Sequence, residues 1–235
     1  MRRFGPLAGR SLSAVWVPLL VASIFTCNVL AETHCPAKNR YQPPQLVAVT
    51  DPWMPYDVMI DGVFILDVHI DALGRVVRVD ALRNPGAMLS SAVASVHRWK
   101  FLPARTNGHS TASDMVVAFV YRPADSGFAG DNAPTIRKIL PAAIGPYRPP
   151  AVDAVAYPQY PVNAAAWGSV VLDLEIAPTG AEHLLTILLA QPPFLSFARN
   201  AAKKWRFSAA TLGSRAVSST VAIAFIFQPP TQGPD

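Results

Sequence analysis

Apolar and polar positions alternate along residues 64–70, where Phe64, Leu66, Val68 and Ile70 interleave with Ile65, Asp67 and His69. That period of two predicts a half-buried strand. Val170, Leu172, Leu174 and Ile176 repeat it against Val171, Asp173 and Glu175. Asp71-Ala-Leu-Gly74 and Ala177-Pro-Thr-Gly180 follow as glycine-ended turns, and second strands are expected over 75–82 and 182–190, giving two β-hairpins. The period then changes to the helical one: Leu89, Ala92, Val93, Val96 and Trp99 fall on one stripe, with Ser91, Ser95 and Arg98 elsewhere around the axis. Leu195, Ala198, Ala202 and Trp205 make the same stripe, and Pro103 is expected to help end the first helix. A final strand closes each series, over 114–121 and 220–227. The order strand, strand, helix, strand predicts an α+β fold. It has two tandem two-layer units, each a three-stranded antiparallel sheet packed by one helix, with the other face or an edge left open to a partner.

The two series are one pattern written twice. Shifting the chain by about 106 residues lays 41–121 on 147–227 without a gap, with roughly 22 of about 81 positions identical. Tyr41-Gln-Pro-Pro44 falls on Tyr147-Arg-Pro-Pro150, Gly62 on Gly168, Asp67 on Asp173, Gly74 on Gly180, and Trp99-Lys-Phe101 on Trp205-Arg-Phe207. The expected organisation is a first domain over 41–122, a linker over 123–146 and a second domain over 147–228. Turn-forming residues such as Asp125-Ser126-Gly127 fill the linker, and 136–140 could form one short helical turn.

Composition changes this picture at the N-terminus. Arg2, Arg3 and Arg10 precede an apolar stretch over 12–25, and Val29-Leu30-Ala31 offers small residues of the kind a signal peptidase accepts, so 1–31 reads as an export signal. The rival reading is a retained anchor, since the stretch is borderline for spanning a bilayer. Of the net charge of +5, those three arginines supply three, which leaves +2 for the remainder. A chain so near neutrality lacks the dense basic patch that nucleic acid requires. Neither Cys27 nor Cys35 follows the small residues that lipid attachment needs, and cleavage would leave Cys35 with no disulfide partner.

At these residues the chain resembles the TonB C-terminal domain family, the periplasmic end of the transducer that energises outer-membrane transporters. The family pattern is Tyr-Pro, a glycine with an alternating strand, a turn glycine, a second strand, a helix ending in Trp-x-Phe-x-Pro, and a last strand. Tyr157-Pro158, Gly168, Gly180 and Trp205-Arg-Phe207 follow it, as do Pro52, Gly62, Gly74 and Trp99-Lys-Phe101-Leu-Pro103. Asp51 replaces the tyrosine in the first copy, and Ala209 stands where Pro103 does. The apolar N-terminus has no histidine of the sort such transducers use to couple to their motor proteins, and no long Glu-Pro/Lys-Pro spacer follows. The resemblance implies a periplasmic module that binds a peptide segment of an outer-membrane receptor by strand addition to the last strand.

The candidate edges are therefore Met115, Val116, Val117, Ala118, Phe119, Val120 and Tyr121, with Val221, Ala222, Ile223, Ala224, Phe225, Ile226 and Phe227. Their apolar character on both sides has a second reading, in which the sister copy or a homodimer covers them. Trp99 and Trp205 are expected as core anchors, and Asp67 and Asp173 as single carboxylates on solvated faces. His69 and His97 stand opposite Glu175 and Lys203, so no histidine pair recurs at metal-ligand spacing. With no nucleophile, phosphate-loop or zinc motif, the expectation is a non-enzyme without cofactor. Its partner would be a peptide or protein of the envelope. The alternative is an inner-membrane-anchored transducer.

Overall fold

The computed structural model describes residues 41–52, 61–84, 86, 88–124, 136–143 and 145–229, all within the compact unit Ala37–Asp235. The export segment, both cysteines and half of the linker lie outside the described residues.

The first half contributes β1 (Tyr41–Gln42), β2 (Gln45–Ala48), β3 (Gly62–Ile70), β4 (Val76–Arg83), α1 (Leu89–Arg98), β5 (Lys100–Leu102), β6 (Ala104–Thr106), β7 (His109–Thr111) and β8 (Ser113–Pro123). The second half runs in the same order through β9 (Tyr147–Arg148), β10 (Ala151–Ala154), β11 (Gly168–Ile176), β12 (Glu182–Ala190), α2 (Leu195–Ala202), β13 (Arg206–Ser208), β14 (Ala210–Leu212), β15 (Arg215–Val217) and β16 (Ser219–Gln228). Among the described residues the class is mixed α+β, mostly strand with two helices. The hairpins close as their turn residues dictate. Gly74 and Gly180 hold φ of 81° and 86°, and an added Cβ would meet the carbonyl oxygens of Phe101 at 2.4 Å and Phe207 at 2.6 Å, so glycine is required twice over at each turn.

The long strands do not form two separate sheets. They form one six-stranded sheet in the order β12-β11-β16-β8-β3-β4. β8 and β16 lie side by side and parallel, Val116 opposite Val221 and Phe119 opposite Ala224. This parallel contact sets where the helices go. Along β8, Met115, Val117, Phe119 and Tyr121 join the buried cluster of Ala92 and Val96 from α1, while Val116, Ala118 and Val120 join that of Ala198 and Ala202 from α2. Successive strand residues face opposite ways, so one helix covers each face and the sheet is the middle of three layers.

Each helix covers only its own half of a face, and an extended arm covers the rest. The first arm, 41–52, pairs its β2 with β5 of its own half and reaches over the second half. There Thr220 donates its hydroxyl to the Pro44 carbonyl at 2.6 Å, and Asp51 accepts from Ser169 Oγ and from Gln191 Nε2 at 3.1 Å. The second arm, 147–157, does the converse: Val152, Val155 and Ala156 share a cluster with Val63 and Ile65, and Arg122 lies 4.9 Å over the Tyr157 ring. Tyr41 and Tyr147, the first residues of the arms, stack on each other with centroids 4.6 Å apart.

Three local expectations need correction. Residues 136–140 form no helical turn; Ile139 makes an extended bridge to Val152, because its side chain packs on the sheet cluster. The first helix ends at Arg98, with Trp99 already extended, so Pro103 separates β5 from β6 instead of ending the helix. Ser91 and Ser95, placed off the buried stripe, are buried, and Ser95 satisfies its hydroxyl on the Ser91 carbonyl at 2.9 Å.

Candidate docking edge

The strands expected to be edges are the centre of the molecule. β8 is flanked by β3 and β16, and β16 by β8 and β11. All fourteen candidate residues, Met115–Tyr121 and Val221–Phe227, are buried. Their backbone donors and acceptors are spent inside the chain, so the expectation of a free edge there is corrected. A strand apolar on both sides belongs between two covered faces, and each last strand finds that place against its sister.

The outer edges are β4 and β12. Each is bulged: β3 residues Leu66 and Ile65 face Ala81 and Arg83, skipping Leu82, and Val171 and Leu172 face Leu189 and Ile187, skipping Leu188. They differ in chemistry. β4 carries Arg78, Asp80 and Arg83, whereas β12 after Glu182 and His183 runs Leu-Leu-Thr-Ile-Leu-Leu-Ala without a charge. Leu184, Leu185 and Ile187 are 38%, 47% and 40% exposed, a cluster of large apolar side chains beside unpaired backbone groups.

A groove runs along each side of β12. One, about 260 Å³, lies towards α2 between Leu184, His183 and Glu182 and the helix-end residues Arg199 and Lys203. The other, about 310 Å³, lies between Leu185, Thr186 and Leu188 and the first arm at Gln45, Leu46 and Val47, with Asp173 among its lining residues. A strand added to β12 would present alternate side chains to these two grooves.

Asp67 and Asp173 are not on solvated faces. Both are 1% exposed, and Oδ1 of each has no hydrogen-bond partner among the described residues. Burial pushes both carboxyls up to about 7. The two surroundings differ. Near Asp67, His69 Nδ1 meets Asp114 Oδ1 at 2.5 Å, His69 Nε2 meets Asp80 Oδ2 at 2.8 Å, and Arg78 pairs with Asp80 at 2.8 Å. Burial works against charge on His69, but the Asp80 hydrogen bond and the Asp114 field outweigh it and raise its pKa. Around Asp173, burial is opposed only by the Leu174 backbone N–H. The strand period could have found the His69–Asp114 pair, since both are polar positions on one sheet face, but only the β3–β8 register, His69 opposite Asp114, brings them together.

Trp99 and Trp205 are core anchors, 3% and 0% exposed. Each indole N–H is satisfied by the arm of its own half, Thr50 carbonyl at 3.1 Å and Ala156 carbonyl at 3.0 Å. No helix among the described residues is long and apolar enough to cross a membrane.

Residues 58–123 match the family model described as Gram-negative bacterial TonB protein C-terminal. One domain, from the approach to β3 through the end of β8, is therefore similar to that family; the match does not extend over the second half. No curated protein matches the chain, and no solved structure matches it.

Proposed function

We propose, with the TonB C-terminal match over 58–123 as premise, that the chain is an exported envelope protein whose task is to hold an extended protein segment, with no catalysis of its own. The segment adds as a further strand to β12. The observation that carries this reading is the uncharged run from Leu184 to Ala190, with Leu184, Leu185 and Ile187 exposed, on an outer strand with no neighbour beyond it among the described residues. Main-chain hydrogen bonds would supply affinity and the two flanking grooves the side-chain selection. A periplasmic segment of an outer-membrane receptor is the partner that the family resemblance favours. Export rests on the basic and apolar pattern of 1–31; retention of that segment as an inner-membrane anchor is the alternative.

The test is amide hydrogen exchange of the full mature chain with synthetic peptides copied from the periplasmic N-terminal segments of outer-membrane receptors. Binding by strand addition slows exchange at 184–190 and leaves β4 unchanged. Protection confined to β4, to the helices or to no site overturns the reading.

A further inference from the structure

The groove between β12 and the first arm contains a feature that backbone pairing alone does not use. Its wall is apolar or neutral, formed by Leu46, Val47, Leu185, Leu188, Gln45 and Thr186. Into it comes Asp173, from the strand one step inside the edge and directly opposite Thr186. The carboxyl is almost wholly buried and one oxygen has no partner among the described residues. A buried acceptor left unpaired keeps its desolvation penalty, which makes it a place where an incoming donor gains more than at the surface.

In the first half the equivalent carboxyl also has an unpartnered Oδ1 among the described residues, but it has cations nearby. Asp67 occupies the equivalent strand position, opposite Asp80 on β4, and the fields of His69 and Arg78 act on it. Along the second half Glu175 stands where His69 does, and Leu184 where Arg78 does. Among the described residues the cations that accompany the first carboxyl have no counterpart at the second, and there a groove opens beside the outer strand of the sheet.

We propose that this groove is a subsite for one basic side chain, a lysine ammonium or arginine guanidinium carried by the extended segment on β12, with Asp173 as its counter-ion. Reach selects the side chain. A strand added to β12 lies two strand spacings from β11, roughly 9.6 Å. Only a long side chain, running its methylene stem along Leu185 and Leu188 and ending in a donor, spans that gap. The pairing is a charge-assisted hydrogen bond to a desolvated carboxylate. This inference rests on the strand-addition reading for the carrier of the side chain, though the subsite chemistry stands separately.

The experiment therefore has two arms, both on the full mature chain near pH 8. In the first, a capped peptide of alternating valine and threonine with a central lysine is compared with the same peptide carrying norleucine. The lysine peptide is expected to bind roughly tenfold tighter or more, and Asp173→Asn to remove the difference. Equal affinities in the wild type, with β12 protected by both peptides, would leave strand addition standing and overturn the subsite. In the second arm, n-butylammonium is titrated while the Asp173 carboxyl carbon is followed by NMR. A saturable shift there supports the subsite even if neither peptide protects β12, which would sink only the strand-addition reading. No shift with butylammonium, together with no lysine preference, overturns the proposal without relying on how the Asn variant folds.

Discussion

β4 and β12 hold equivalent outer positions of one sheet, follow equivalent turns and carry equivalent bulges at Leu82 and Leu188. Yet β4 is dressed with Arg78, Asp80 and Arg83, and β12 shows exposed leucines. Charges and bulges are the ordinary means by which an edge avoids unwanted pairing. β4 uses both, whereas β12 has the bulges and a single charge confined to its first residue, Glu182. Beneath the strands the same contrast recurs, with Asp67 among His69, Arg78 and Asp80 and Asp173 without a cation. The comparison teaches that one backbone plan, used twice, has been closed chemically on one side and left open on the other.

The largest test asks whether the halves are separable at all. Trp205 is fully buried and packs 6.0 Å from Phe207 in the cluster that also holds Val63 and Val116. Trp205→Ala should cost about 3–5 kcal/mol. Because β8 and β16 are adjacent, hydrogen exchange should speed up in β3 as much as in β11. Loss of protection confined to β11, β12 and β16 would mean that the halves fold independently and that the shared sheet is a weak junction.

The next effect is in pH. Asp67 and Asp173 keep their protons up to about pH 7 in the folded chain and lose them near 3.8 when unfolded. Between these values the native state binds more protons, so stability falls as pH rises, by up to about 1.4 kcal/mol per unit for each carboxyl, and levels off above 7. Asp71 and Asp80, whose pKa values are lowered, act oppositely and withdraw stability at more acid pH. Thermal melts should thus show greater stability near pH 5 than near pH 8, and Asp173→Asn should flatten the slope more cleanly than Asp67→Asn, whose neighbours titrate with it. An unchanged slope in Asp173→Asn would show that this carboxyl is ionised throughout.

A binding test sharpens the edge comparison directly. Ile187→Lys places a charge on an exposed position of β12 and should change stability by no more than about 0.5 kcal/mol. It should weaken peptide binding by roughly tenfold, about 1.4 kcal/mol. Val77→Lys on β4, at a position 63% exposed, should leave binding unchanged. If the two variants behave alike, the difference between the edges has no functional meaning.

How much of this was legible depends on the range of the interaction. The strands, the helices and the turn glycines follow from periods of a few residues, and β3, β11, α1 and α2 begin within a few residues of where those periods place them. Met115-Val-Val-Ala-Phe-Val-Tyr121 also states that both its sides are buried, but not by what. A last strand can meet a peptide, a second chain or its own sister, and only the register of Val116 on Val221 decides. The arms were harder still. Residues 45–48 and 151–154 have no amphipathic pattern of their own, since they are ordered by β5 and β13 and by the sister half's sheet. Without the arms, Asp67 and Asp173 read as solvated. The sequence points to the last strands as edges for the same reason: the run on β12 has the pattern of any second hairpin strand.

The smallest effect concerns how the arms are pinned. Tyr41 and Tyr147 stack, and each hydroxyl bonds a serine at the start of its own half's last strand, Ser113 at 2.5 Å and Ser219 at 2.6 Å. Tyr147 is 4% exposed and Ser219 1%, whereas Tyr41 is only half-buried. Either removal leaves a buried serine without that partner, but only at Tyr41 is the tyrosine itself partly open to solvent. Tyr147→Phe should therefore cost about 1 kcal/mol more than Tyr41→Phe in denaturant unfolding. Equal costs would mean that the stack, and not the two hydroxyls, holds the arms. The halves would then be alike at their joint and differ only at their outer edges.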